Sequence, residues 1–142
     1  MHLTYLVVGN YLIYYDDRAR RVSAMSLQTG PVQFTEREAR FLCRGGIGRL
    51  ATVSSGGEPH VVPVVFEFDG RTIYFSGPDL GKSLKFRHLV LDRRVAIVVD
   101  EVVSVSPWRA RGVEVRGVAE VHVEAARPYV RIIPLAKASW GL

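Results

Sequence analysis

The chain has a single cysteine, Cys43, among its 142 residues. One thiol excludes an internal disulfide framework and any multi-cysteine metal site, and it fits a reducing compartment. Between Leu42 and Arg44, late in a predicted helix, Cys43 is interpreted as a small core residue. HExxH and GxSxG patterns are absent too, so we expect no metal and no catalytic nucleophile. If the protein is an enzyme, a bound cofactor must supply the reactive atom.

Long apolar runs are missing as well. The run from residue 3 to 15 is too short to span a bilayer, and it lacks both a basic leader and a small-residue cleavage site. We therefore expect a soluble, cytoplasmic protein with no membrane partner.

Acidic residues are outnumbered, and the net charge is +5 with a pI near 9.7. This balance favours anionic partners such as phosphorylated cofactors, acidic substrates or nucleic acid. The basic residues are spread along the chain, which favours solvated surface over a dedicated nucleic-acid patch. We expect no nucleic-acid partner.

Residues 1–24 stand apart from the rest. Two apolar runs flank Gly9-Asn10, a dipeptide suited to a hairpin turn. The segment is either such a hairpin or upstream sequence read from an early start, since Met25 opens an ordinary N-terminal lead-in. We prefer the second interpretation and place the functional domain at residues 25–142.

The first part of this domain predicts a helix and a meander. Thr35 and Glu38 form a capping-box pattern that opens a helix ending near Arg44. Three β-type segments follow with short turns between them, so neighbouring strands must be antiparallel. They are GRLATVSS, EPHVVPVVFEFD and RTIYFS, with turns at Gly56-Gly57 and Asp69-Gly70.

The second part predicts one more helix and three more strands. A helix from about Lys82 to Leu91 precedes the apolar strand 94–100, which we expect to be central. Residues 101–112 are interpreted as a loop, and 112–124 as a long strand kinked at Gly117. Residues 129–140 form a last extended stretch, in which Pro134 favours an edge position. Six strands and two helices predict a mainly β fold, a small antiparallel barrel.

The chemistry centres on residues 71–91, a strand, a tight loop and a helix start. Lys82, the Ser83 hydroxyl and Lys85 lie where helix N–H groups carry partial positive charge, which suits a phosphate. The solvated helix face that Lys82, Lys85 and Arg87 would form is an equally good interpretation of the composition. Residues 77–83 nearly match GxxxxGK[ST], but the spacing is one residue short and the preceding strand belongs to a hairpin, so an NTPase loop is disfavoured.

Four segments together resemble a known family. They are GRLATVSSGGEPHVVPVVFEFDGRTIYFSG, GKSLKFRHLVLDRRVAIVVDEV, PWRARGVEVRGVAEV and YVRIIPLAKASWGL. From residue 34 to 142 the chain resembles the pyridoxamine 5′-phosphate oxidase-like flavin-binding split-barrel family, and within it the F-420-dependent branch. The resemblance implies a six-stranded split barrel and a homodimer that binds FMN or F-420 in a groove between the subunits.

The resemblance also implies site residues. Lys85 matches the lysine that contacts the cofactor phosphate, with Lys82 and Ser83 one turn earlier. Trp140 matches a terminal position that approaches the site, and Arg109 a position at the substrate mouth. His88 stands where the family often has asparagine, and the C-terminal arginine-rich motif of vitamin B6 oxidation is not identified. Two strand segments would border the ring: Val62, Pro63, Val64 and Val65, and Tyr74, Phe75 and Ser76.

The resemblance thus implies an oxidoreductase that transfers hydride between the cofactor and a small organic acceptor. No side chain is assigned as an acid or base. A basic groove suits the acidic tail of F-420 and favours it over FMN. The alternative is a non-catalytic protein that stores or senses the cofactor.

Overall fold

The computed structural model describes residues 4–8, 11–16, 21–26, 32–123 and 127–142. The chain divides into two compact units, Met1–Pro31 and Val32–Leu142. In the first, β1 (Thr4–Val8), β2 (Tyr11–Asp16) and β3 (Arg21–Ser26) form an antiparallel sheet in that order. The proposed Gly9-Asn10 turn lies outside the described residues, and the interpretation of residues 1–24 as upstream sequence stays a prediction.

The second unit is a closed barrel of six antiparallel strands, in the order β4-β5-β6-β9-β8-β7. This confirms the mainly β barrel predicted from six short strands, tight turns and two helices. The helices are α1 (Glu36–Cys43) and α2 (Leu84–Leu91), with a 3₁₀ turn at Leu80–Lys82. The strands are β4 (Gly46–Val53), β5 (Pro59–Phe68), β6 (Ile73–Ser76), β7 (Arg94–Val105), β8 (Trp108–His122) and β9 (Tyr129–Trp140).

Side chains from alternate positions of every barrel strand fill the interior. Successive residues of a strand point to opposite faces, so one set of every strand is removed from water. Each aliphatic or aromatic side chain so buried contributes roughly 1.5–3 kcal/mol. The largest of these fully buried side chains include Leu50, Phe66, Ile73, Ile97 and Ile132.

Helix α1 is fixed at its start to the far end of β9. Thr35 is the N-cap, and its side chain accepts a hydrogen bond from Glu38 N while the Glu38 carboxylate accepts one from Thr35 N, as the capping box predicts. The same carboxylate is buried and binds Lys137 and Ser139 of β9. Because three donors hold it, the pKa of Glu38 is lowered even though burial raises it.

The structure corrects two expectations, on residues 101–112 and on Cys43, and refines a third. Residues 101–112 are mostly not a loop, because β7 and β8 stay paired as far as Val105 and Trp108. Strand β9 as a whole is not an edge strand, because it pairs with both β6 and β8. Pro134 itself lies beyond the β6-paired residues 129–132 and pairs with Gly117 of β8 alone at a register shift, which agrees with the predicted edge position. That shift confirms the predicted kink. Cys43 is exposed rather than part of the core, since it lies on the outer side of α1.

Candidate cofactor site

The barrel is open along part of one edge of β5. This strand pairs with β4 over residues 59–66 but with β6 only over residues 66–68. Within the described part of the chain, residues 59–65 therefore have a strand partner on one side only. Backbone N–H and C=O groups along such an edge are available to other hydrogen-bonding groups. The open edge can bind the polar rim of a flat ligand.

The outer face of the same segment is apolar. Val61 and Val65 are 63% and 70% exposed, and Pro63 lies between them on the same face. Ile47 of β4, the partner of Val65, is 60% exposed. Val62 and Val64 point into the barrel, so any contact that these two predicted residues make with a ligand outside must come from their backbone. Exposed apolar side chains in a row mark a surface that another molecule covers.

A cavity of about 310 Å³ continues this face at the start of β9. It brings together four of the residues that the family resemblance implied: Val65, Tyr74, Phe75 and Ser76. Glu67 and Tyr129 also line it and were not predicted. Alternation along β5 could have indicated Glu67, which shares a face with Val65. Tyr129 had no such signal, because it reaches the cavity only through the pairing of β6 with β9.

Contacts with neighbouring side chains fix the two tyrosines that line this cavity. The Tyr74 hydroxyl donates a hydrogen bond of 2.6 Å to Asp69, and Tyr129 stacks on His122 with ring centroids 4.4 Å apart. Burial raises the pKa of Asp69, but hydrogen bonds from Tyr74, Thr72 and the Arg71 amide outweigh it and lower the pKa to about 2. Asp69 is thus ionised at neutral pH, and it fixes the orientation of Tyr74.

Lys85 and its neighbours follow directly after the cavity residue Ser76. The chain passes from Ser76 through a short loop and the 3₁₀ turn to Ser83, the N-cap of α2. Lys85 is half-buried, and among the described residues it has no hydrogen-bond or ion-pair partner. Lys82 is 87% exposed and lies 3.9 Å from Asp79, a weak surface contact. The half-buried ammonium of Lys85 is a site where an anion would be stabilised.

The Ser83 hydroxyl makes its two hydrogen bonds with backbone groups. Its Oγ accepts a hydrogen bond from Phe86 N and donates one of 2.6 Å to the Leu80 carbonyl. The hydroxyl has only one hydrogen, so donation to a phosphate requires that bond to break. The cap leaves the amides of Leu84 and Lys85 in the first helical turn for an external acceptor.

His88, three residues after Lys85, faces the barrel. It is buried, its Nδ1 lies 2.9 Å from Thr52 Oγ1, and its ring meets that of His60 edge to face at 5.3 Å. The side chain that replaces the family's asparagine therefore joins α2 to β4. It sets the position of the helix that carries Lys85.

Trp140 and Arg109 are far from these residues within one chain. Trp140 pairs with Gly112 at one end of the β8–β9 ladder, whereas Tyr129 pairs with His122 at the other. Strand β9 is 12 residues long, so its two ends lie roughly 35 Å apart along the strand. Arg109 lies at the Trp140 end, near the β7–β8 turn. One chain alone does not bring these two predicted residues to the cavity.

Two comparisons identify the family. The family model described as pyridoxamine 5′-phosphate oxidase matches residues 35–132. The chain belongs to this family. It is also 40% identical, over 119 residues, to a 5a,11a-dehydrotetracycline/5a,11a-dehydrooxytetracycline reductase of Streptomyces rimosus subsp. rimosus, which covers 77% of the chain and 84% of the relative. The family and this relative together support an oxidoreductase.

Solved structures show the same fold. A conserved hypothetical protein of Mycobacterium tuberculosis matches with a TM-score of 0.64 and 25% identity, over 80% of this chain and 88% of that one. An F420 reductase matches with a TM-score of 0.61 and 24% identity, over 74% and 98% of the two chains. These likenesses confirm the split barrel that the sequence predicted.

Among the described residues, no three His, Cys, Asp or Glu side chains are grouped so that they could hold a metal ion. In the same part of the chain, no helix has both the length and the apolar character that crossing a lipid bilayer requires.

Proposed function

We propose that the protein is a cytoplasmic, homodimeric oxidoreductase that binds FMN or F-420 and transfers hydride between this cofactor and a small organic acceptor. The observation that carries the proposal is Lys85, a half-buried cation without an anionic partner among the described residues. It lies in the first turn of α2, at the end of the loop that leaves the cavity.

The residues present fit such a cofactor. A phosphate suits Lys85 because the ammonium and the free amides of the first helical turn are all donors. Lys82 adds positive charge at the surface. A planar ring suits the strip formed by Val61, Pro63 and Val65, and the unpaired backbone of residues 59–65 can bind the polar edge of that ring.

The cofactor, when bound, supplies the hydride chemistry. The share of this chain is to orient the ring and exclude water. Tyr74, fixed by Asp69, and Tyr129, stacked on His122, form a rigid wall that limits how a ring can lie. A rigid wall raises the fraction of bound acceptor that lies in a reactive orientation. Glu67 is the carboxylate of this cavity, and its negative charge disfavours an anionic acceptor beside it.

The partner subunit would complete the site. Ile47 of β4 extends the exposed apolar strip of Val61, Pro63 and Val65, and we propose that the ring and the partner subunit cover this surface together, as a cofactor held between two subunits requires. Trp140 and Arg109 lie too far along the ladder to reach the cavity of their own chain. We propose that they approach the cavity of the other subunit.

The relative from Streptomyces favours catalysis over storage. Its name describes the reduction of an unsaturated polycyclic compound, and it shares 40% of its residues with this chain over the matched region. We therefore propose a conjugated carbonyl compound as the acceptor. The positive charge of the chain favours F-420, with its acidic tail, over FMN.

Turnover separates an enzyme from a storage protein. Reduced FMN and reduced F-420 are each mixed with purified protein and a panel of cyclic enones and quinones, and cofactor oxidation is followed by absorbance under anaerobic conditions. Multiple turnovers with at least one pair are expected. Tight binding of a cofactor without turnover of any acceptor in the panel would favour storage or sensing.

A further inference from the structure

A second cavity, of about 340 Å³, lies at the other end of the β8–β9 ladder from the candidate cofactor site. Four of its six lining residues are arginines: Arg37, Arg40, Arg44 and Arg111. Phe41 and Leu142 supply its apolar surface. We call this cavity, defined by these six residues, the arginine pocket. The function proposed above gives these six residues no role, although Arg109 and Trp140 lie at the same end of the ladder.

Three of the arginines share one face of α1. Arg37, Arg40 and Arg44 are three, four and seven residues apart, spacings that bring side chains of a helix together. Like charges at these spacings repel one another. Arg111 of β8 adds a fourth charge from the barrel. Two carboxylates, Glu36 and Glu101, pair with this set and leave an excess of positive charge.

Two of the arginines are already fixed in place. Arg44 donates through both terminal nitrogens to the two Glu101 oxygens, at 3.1 Å each, and Arg111 binds the same carboxylate. Their guanidinium carbons lie 5.5 and 5.6 Å from the centroid of the Phe41 ring. These contacts order the guanidinium groups before any ligand arrives, which reduces the entropy lost on binding.

The other two arginines are available to a ligand. Arg37 donates one hydrogen bond, of 3.3 Å, to the main-chain oxygen of Leu142, and no carboxylate side chain pairs with it among the described residues. Arg40 pairs with Glu36, but both side chains are more than three-quarters exposed, and such a surface pair is easily exchanged for a better partner. A guanidinium group binds phosphate or carboxylate through two parallel hydrogen bonds.

We propose that the arginine pocket binds a small polyanion, either a pyrophosphate-type or a polycarboxylate group, mainly through Arg37 and Arg40. Arg44 and Arg111 supply the surrounding positive potential and Phe41 the apolar floor. Within one chain, the pocket lies at the opposite end of the β8–β9 ladder from the cavity that precedes Lys85. In the dimer proposed above, the experiment must therefore distinguish it from the cofactor site of the partner subunit.

The two probes are inorganic pyrophosphate, which represents a pyrophosphate-type ligand, and citrate, which represents a polycarboxylate. Each is used at constant ionic strength. Binding is measured by calorimetry and by amide shifts in ¹⁵N-labelled protein. The variant is Arg37→Gln/Arg40→Gln, whose replaced side chains are exposed, and its fold is checked by circular dichroism. Arg71→Gln, an exposed arginine on the β5–β6 turn, is the matched charge control.

Wild-type protein is expected to bind at least one probe, with shifts confined to residues 37–44 and around Arg111. The double variant should weaken that binding by about tenfold or more, and Arg71→Gln by less than about twofold. The proposal is overturned if neither probe binds, if the control weakens binding as much as the double variant, or if the shifts lie around Lys85. It is also overturned if the double variant weakens FMN or F-420 binding instead, because the pocket would then belong to the cofactor site. None of these outcomes depends on whether the protein turns over an acceptor.

Discussion

The hydroxyl of Tyr74 lies 2.6 Å from a carboxylate oxygen of Asp69, five residues earlier in the chain. Asp69 opens the Asp69-Gly70 turn and Tyr74 lies in the strand that follows it. Asp69 also accepts hydrogen bonds from the amides of Arg71 and Thr72, at 2.8 and 2.7 Å. One carboxylate therefore closes the β5–β6 turn and positions an aromatic side chain of the candidate cofactor site. The same contact therefore stabilises the turn and fixes the geometry of the site.

The Asp69 contacts predict a specific loss of stability in acid. The pKa of Asp69 in the folded protein is about 2, below the ordinary value of 3.8. A lowered pKa means that these contacts stabilise the fold fully above pH 4 and progressively less as the pH falls towards 2. Asp69→Asn should therefore be less stable than wild type at pH 7, and the difference should shrink towards pH 2.

Urea unfolding of both proteins at several pH values between 7 and 2 measures this difference. Glu58→Gln, an exposed carboxyl outside these contacts, should leave the stability almost unchanged across the range. A gap between wild type and Asp69→Asn that is as wide at pH 2 as at pH 7 would show that the carboxylate's charge is not what stabilises the turn.

The Glu38–Lys137 pair should contribute far more than a surface pair. Glu38 is 5% exposed, so Lys137→Met leaves a buried carboxylate without its cation and should destabilise the protein by about 3 kcal/mol. Glu38→Gln/Lys137→Met should recover part of the loss because no charge is then buried. The matched exposed pair, removed by Glu36→Gln/Arg40→Gln, should change the stability by about 0.5 kcal/mol or less. Chemical unfolding at pH 7 compares them, and equal losses for the two pairs would contradict this account.

Gly117 should tolerate no side chain. A Cβ added there would lie 2.0 Å from the Ile133 carbonyl oxygen and 3.2 Å from Pro134 Cα, both backbone atoms at the β8–β9 register shift. Gly117→Ala should therefore destabilise the barrel by about 3 kcal/mol. Gly56→Ala is the control, since its added Cβ would have one ordinary contact at 3.7 Å. Thermal unfolding that ranks the two variants equally would show that the bulge adapts.

The apolar strip on β4 and β5 predicts the oligomeric state. We expect wild-type protein to elute as a dimer in size-exclusion chromatography with light scattering. Val61→Lys places a charge in the proposed interface and should shift the mass towards the monomer. Val123→Lys, at a valine that is also exposed but lies outside the strip, should remain dimeric. A wild-type monomer, or a Val61→Lys dimer as stable as wild type, would mean that another molecule covers the strip.

The fold was predictable because its signals are local. The β-type segments of β4, β5 and β6, joined by short turns at Gly56-Gly57 and Asp69-Gly70, indicated antiparallel neighbours without any knowledge of distant contacts. The β7–β8 extension was missed because Pro107 and the charged residues around it are typical of a loop, whereas pairing between two long strands decides their conformation. Cys43 was misplaced because its apolar neighbours do not show which side of a short helix faces the barrel.

The candidate site was predictable only in part. Ser76 and Lys85 lie near each other in sequence, so the strand end and helix start could be connected by inspection. Tyr129 joins them through the pairing of β6 with β9, which no short pattern encodes. The arginine pocket likewise needs Arg111, 67 residues after Arg44, to lie across Phe41. Non-local pairing of strands created the contacts that local patterns did not show.

Cofactor binding by Lys85 variants tests the central claim most directly. Purified wild type, Lys85→Gln and Arg71→Gln are each titrated with FMN and with F-420, and the dissociation constants are compared. We expect wild type and Arg71→Gln to bind at least one of the two alike, and Lys85→Gln to bind it about tenfold or more weakly. Equal affinity of Lys85→Gln and wild type for both cofactors, or no binding of either by wild type, would contradict the account.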